Sequence, residues 1–207
     1  MGALEATAVG SGVPLVNLNC TAAHANMEAK GLHPANYLFW QKKMLGTFDH
    51  VSICHGFQVF KEVCTACHSL DIVYWHNLVG IAYLDKEARV MANGYKYMDG
   101  LDDQGVMFEC TEKLTNLIPC SYANEEVVQD ANAGALPPDL LLITKVWHRG
   151  VDYTYALLTR YTYAPASMDI KEGLNYNLYF PGGSITIVQI IFDGVTKYND
   201  GTPNTAS

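Results

Sequence analysis

Small, polar and glycine residues run without a repeat from Met1 to about His33, so residues 1–33 read as an extended N-terminal arm and 34–207 as the folded domain. The pattern changes at Phe48. Ile53, Phe57, Phe60, Cys64 and Cys67 recur at spacings of four, three, four and three, one face of a helix, and Asp49 stands where a cap belongs. The spacing predicts a helix that delivers both cysteines on its buried side.

Leu70 to Leu84 is apolar and aromatic, centred on Trp75, and Asp85 can cap a short helix through Ala92 that Gly94 ends. Residues 95–125 hold turn formers and scattered apolar positions, which predicts a long irregular excursion, too long for an ordinary connection. Pro137, Pro138 and Asp139 predict the start of a helix running to about His148, because proline fits the first turn and an aspartate can receive its amides. A further helix follows from Asp152 to Tyr161, and 173–183 is loop. The alternation of Ile185, Ile187 and Ile191 predicts an extended segment.

Composition narrows the class. At 207 residues and 49% apolar the chain can bury one good core. Its longest apolar run, Ser184 to Phe192, falls short of the roughly 18 residues that span a bilayer, so the chain as given reads as soluble. The first 20 residues lack a basic or Arg-rich amphipathic targeting pattern. Thirteen basic against 21 acidic residues leave a net charge of −8, which disfavours nucleic acid and anionic membrane and favours a basic partner. The acidic stretch Asp99, Asp102, Asp103 and Glu109 is the candidate docking surface.

The chemistry resides in Cys64-Thr65-Ala66-Cys67-His68. Two thiols two residues apart match the reach between the vinyl groups of a porphyrin, and the imidazole that follows is placed to bind its iron as proximal ligand. With 6 Cys and 7 His in 207 residues, chance would supply about 0.006 such pentapeptides. A zinc knuckle would need another close Cys or His pair, which the sequence lacks. Cys110 and Cys120 could pair across the long loop in an oxidising compartment. No acid/base or nucleophile constellation suggests a substrate-transforming site.

Gly56-Phe57-Gln58-Val59-Phe60-Lys61-Glu62-Val63-Cys64 through Asp71, then Leu78-Val79-Gly80, Ala131 to Leu140, Asp152-Tyr153, Leu157-Leu158-Thr159, Tyr179-Phe180-Pro181-Gly182 and Asp200-Gly201-Thr202-Pro203, resemble the cytochrome c1 family in order and spacing. The resemblance implies an all-α, cytochrome-c-like haem domain with long irregular loops. It implies haem c bound by Cys64 and Cys67 and ligated by His68. It also implies one-electron transfer from the Rieske iron–sulfur protein to soluble cytochrome c within the ubiquinol–cytochrome c reductase complex of the respiratory chain, alongside cytochrome b and the other subunits of a dimeric complex III. The expected place is the mitochondrial inner membrane, facing the intermembrane space, with a C-terminal anchor helix that this chain does not include. Asn132, Ala135, Pro137 and Pro138 match positions lining the haem face, and Tyr153, Leu157, Phe180 and Ile185 match the pocket wall.

The largest departure is at the sixth iron ligand. The family's methionine position reads Ile187, whose side chain has no lone pair. Met98, Met107 and Met168 sit outside the motif. Two accounts stay open: an altered sixth position, filled by a displaced methionine, another side chain, water or nothing, or an error in the recorded residue at 187. An arginine expected before His148 to meet a haem propionate reads Trp147, with Lys145 or Arg149 as possible substitutes. The alternative function that Ile187 motivates is a haem protein with an open sixth position, a peroxidase or gas sensor.

Overall fold

The computed structural model describes residues 31–205. The proposed arm therefore lies, but for residues 31–33, outside the described residues, as does Cys20.

Helix α1, His50–Glu62, starts where the pattern placed it: the Asp49 carboxylate accepts from the Ser52 amide at 3.0 Å and its hydroxyl at 3.1 Å. It stops one turn before expected. The Thr65 hydroxyl donates to the Lys61 carbonyl at 2.7 Å, occupying the acceptor a continuing helix would use, and the chain tightens into a 3-10 turn, Cys64–Ala66. The cysteines thus leave α1 in a turn closed by the His68 amide on the Cys64 carbonyl at 2.8 Å.

Helix α2, Asp85–Asn93, is capped differently from the expectation. Leu84 holds the cap position, and Glu87 reaches back to its amide at 2.8 Å while Asp85, already inside the helix, pairs with Arg89 at 2.7 Å. The face carrying Ala88 and Ala92 packs with Trp75, Leu114 and Ile118 into the buried core cluster. Small residues let the helix approach the indole closely. The indole nitrogen donates to the buried Glu112 carboxylate at 2.7 Å, so the one polar atom of that large ring is satisfied.

The expected excursion over 95–125 contains a hairpin: β1, Lys96–Leu101, pairs antiparallel with β2, Met107–Thr111, with an irregularity between Met98 and Leu101. Its turn is set by Asp102, whose carboxylate accepts from the amides of Gln104 and Val106 at 2.9 and 2.8 Å. Cys110 and Cys120 are free thiols and do not form the conceivable bridge.

Helix α3, Glu125–Ala131, is capped by Asn124 and ends at Asn132, after which Ala133 and Gly134 both take positive φ. The Gly134 amide returns to the Gln129 carbonyl at 2.7 Å, the reversal that glycine permits after a helix. The helix expected from Pro137 is cut to one turn, α4, Ile143–Val146. Consecutive prolines hold the preceding residues extended, and the Asp139 carboxylate bridges the amides of Leu141 and Asp71, both at 2.8 Å. Helix α5, Gly150–Thr159, falls within two residues of its expected limits. In the C-terminal third β3, Asn175–Tyr176, pairs antiparallel with β4, Ser184–Ile185, and Tyr161 makes a single bridge to Asn177; the extended run expected through Ile191 is reduced to the two residues of β4.

The all-α expectation holds in part. Helices carry much of the regular structure, and two two-stranded antiparallel sheets are added to them. No helix among the described residues is long and apolar enough to cross a membrane.

Candidate functional site

Two segments, 121–122 and 138–140, grip the Cys64–His68 turn and the residue after it. The Ser121 hydroxyl donates to the His68 carbonyl at 2.9 Å, the Tyr122 hydroxyl to the Ala66 carbonyl at 2.8 Å, and the Leu140 amide to the Ser69 carbonyl at 3.1 Å. The decisive contact is made by the imidazole itself: His68 Nδ1 lies 2.8 Å from the Pro138 carbonyl oxygen. A carbonyl only accepts, so Nδ1 carries the proton and Nε2 presents its lone pair. That is how a ligating imidazole is oriented and its basicity raised. Burial pushes the Cys64 thiol up, with Cys67 adding to the effect, which keeps Cys64 neutral rather than a reactive thiolate.

Beside Pro138 lies a cleft of about 460 Å³ with Ile72, Leu142, Val146 and Trp147 among its lining. These are large apolar side chains left exposed, the kind of wall that suits a flat apolar ligand. A slightly larger and more open cleft, about 510 Å³, runs past Tyr74, Tyr97 and Glu112, but its buried acid is already bonded to Trp75.

The remaining residues expected around the ligand fall in two places. Asn132 caps α3 through its side-chain amide on the Val128 carbonyl at 2.8 Å, and Ala135 and Pro137 follow it, half-buried, toward Pro138. Tyr153 is buried on α5, stacked against Trp147 with ring centroids 4.9 Å apart, and burial raises its pKa. Its hydroxyl has no hydrogen-bond partner among the described residues. Leu157 is held near β3 by the Asn177 side chain, which donates to the Leu157 carbonyl at 2.8 Å. Phe180 is half-buried, Ile185 buried in β4, and Ile187 half-buried with its carbonyl accepting from the Asn175 side chain at 3.3 Å. Of the candidate substitutes for the missing arginine, Arg149 donates to the Pro34 carbonyl at 3.3 Å, while Lys145 is exposed.

These residues fit a haem on the proximal side: an imidazole fixed with Nε2 available, two adjacent thiols, exposed apolar walls, and in Tyr153 an orphaned buried donor that a propionate would satisfy. Ile187 does not fit as a ligand, since its hydrocarbon side chain offers no electron pair. Sequence reasoning missed Ser121, Tyr122 and the Asp139–Asp71 clamp, and hydroxyls and a carboxylate in loops give no periodic signal by which to find them.

A helix that runs into a Cys-x-x-Cys-His turn, with the imidazole pinned by a distant carbonyl, places the chain among proteins organised around that turn. A sequence model of the cytochrome C1 family matches residues 39–207. The chain is 44% identical over its whole length to the cytochrome b-c1 complex catalytic subunit, mitochondrial, of Candida albicans, covering 72% of that protein. It is 46% identical over 90% of its length to the mitochondrial cytochrome c1 heme protein of Saccharomyces cerevisiae, and 43% identical over 96% to the cytochrome c1-1 heme protein of Solanum tuberosum, covering 61% and 62% of them. The chain belongs to the cytochrome C1 family.

Proposed function

We propose that the chain is the haem-bearing electron carrier of a mitochondrial cytochrome b-c1 complex, as the names of its relatives suggest. The observation that carries this is the His68–Pro138 contact within the Cys64–His68 turn. Bound haem c supplies a one-electron ferric/ferrous couple. Cys64 and Cys67 would hold the porphyrin through thioethers, His68 would offer Nε2 to the iron, and the Tyr153 hydroxyl would donate to a propionate. Asn132, Ala135, Pro137, Pro138, Leu157, Phe180 and Ile185 form the wall that excludes water. One electron at a time passes from the Rieske iron–sulfur protein to soluble cytochrome c, with cytochrome b and the other subunits of a dimeric complex as neighbours. The haem domain, residues 34–207, faces the intermembrane space from the inner membrane. The alkaline pyridine spectrum tests the attachment: a c-type absorption band that survives acid–acetone extraction is expected, and extraction of all the pigment would refute it.

Asp99, Asp102 and Asp103 cluster around the end of β1, which supports this acidic stretch as the docking surface. Replacing all three with asparagine preserves the acceptor oxygen that Asp102 lends to the turn, so the change is chiefly one of charge. The association rate with basic cytochrome c should fall at low salt and converge with the unmodified chain at high salt. An unchanged low-salt rate contradicts the assignment.

Ile187 favours a second reading, in which the sixth position is open and the protein is a peroxidase or gas sensor. Carbon monoxide separates the two: a reduced spectrum indifferent to the gas removes the second reading, and a shifted Soret band establishes an accessible iron.

A further inference from the structure

The segment before α1 has one face tied down and another turned outward. On the tied face, Tyr37 and Phe39 pack against Tyr155 with ring centroids 4.7 and 5.5 Å apart, the Tyr37 amide donates to Asp152 at 3.1 Å, and Lys42 forms an ion pair with that buried aspartate. The loop closes through successive turns: the Lys42 amide on Phe39, Lys43 on Trp40 and Gly46 on Lys43, at 3.1, 3.0 and 2.9 Å. Glycine is required at the last, since a Cβ at 46 would run into the Trp40 carbonyl. This is a built loop.

Its outer face is apolar. Leu38, Met44 and Leu45 are 93%, 98% and 91% exposed, with Trp40 and Phe48 beside them also exposed. Exposure that complete describes a protrusion rather than a flat patch, and a rigid apolar protrusion matches a soft medium it can enter. The local charge agrees. Between Gly31 and Phe48 there is no acidic residue in a chain of net charge −8, and Lys43 rides over the Trp40 ring at 4.1 Å. The first acid beyond, Asp49, caps α1 at the edge of the loop, its carboxylate exposed. An aromatic ring, a lysine and aliphatic tips together suit the boundary of a bilayer, the cation at the headgroups and the hydrocarbon below. The whole-chain charge hides this, because screening confines electrostatics to about 8–10 Å.

We propose that the loop 38–48 inserts into the surface of a phospholipid bilayer, with Met44 and Leu45 as the penetrating side chains. The inference rests on this loop alone and not on haem. The test is flotation of the full 207-residue chain with phosphatidylcholine vesicles carrying a minority of phosphatidylglycerol. The chain should float with the vesicles. The double variant Met44→Ser, Leu45→Ser, at two exposed positions that leave the fold intact by circular dichroism, should bind more weakly by about tenfold or more. Failure of the unmodified chain to float, or equal flotation of the variant, overturns the proposal. So does self-association of the unmodified chain in analytical ultracentrifugation that the variant abolishes without vesicles, which would give the loop to a second copy instead.

Discussion

Trp75, Ala88, Ala92, Leu114 and Ile118 bury one another, and the indole's single polar atom meets Glu112, whereas Leu136, Leu142, Val146 and Trp147, which flank the His68 turn, remain exposed. The first region is a protein core in the ordinary sense, closed by side chains on α2 and the segments around it. The second is held by hydrogen bonds among loops, with exposed apolar side chains ranged around the clamp. The contrast teaches that one part of this domain draws its stability from its own residues, while the other leaves its apolar walls uncovered. A haem between those walls would become the missing hydrophobic centre.

The sharpest way to break the contrast is at Trp75. Trp75→Ala should lower unfolding free energy by about 3–5 kcal/mol through the cavity it leaves, and Trp75→Phe by about 1–3 kcal/mol because Glu112 then stays buried without its donor. Chemical denaturation measures both, and a Phe variant as stable as the original would show that the indole–carboxylate bond contributes nothing.

On the other side, Leu142→Ser with Val146→Ser should change the stability of the haem-free chain by less than about 0.5 kcal/mol, as exposed positions do. With haem bound, the same pair should cost about 1–3 kcal/mol, as buried apolar contacts do. Equal effects in the two forms would erase the distinction between the regions.

The smallest effect is expected in acid. Asp49 is held below the usual carboxylate range first by the Ser52 amide and then its hydroxyl, and Asp200 first by the Thr202 amide and then by the His55 ring. A carboxyl depressed in the folded state stabilises fully above its unfolded value of about 3.9, and that contribution is lost as pH falls through the folded value. The thermal midpoint of Asp49→Asn should therefore lie slightly below that of the unmodified chain at neutral pH and converge with it below about pH 4. A gap that persists at lower pH would contradict the sign.

What could be read from the sequence was local. The face of α1, its Asp49 cap, the limits of α5 to within two residues and the Cys64–His68 pentapeptide are each contained in a dozen residues or so. The hairpin escaped because the irregularity between Met98 and Leu101 breaks the alternation that would reveal β1, although Asp102 and Gly105 supply a turn signal. The helix at Pro137 was overread: the prolines suit a first turn equally well as an extended approach, and the choice is made by Asp71, which draws Asp139 away. The contacts that matter most, Pro138 with His68 across 70 positions and Glu112 with Trp75 across 37, have no local signature at all.

The most direct test of the central claim is the mass of the proteolytic peptide containing Cys64 through His68, taken from protein matured where haem attachment occurs. The peptide should carry one haem in covalent linkage, with neither thiol open to alkylation. A peptide of unmodified mass whose two cysteines alkylate freely would contradict the account.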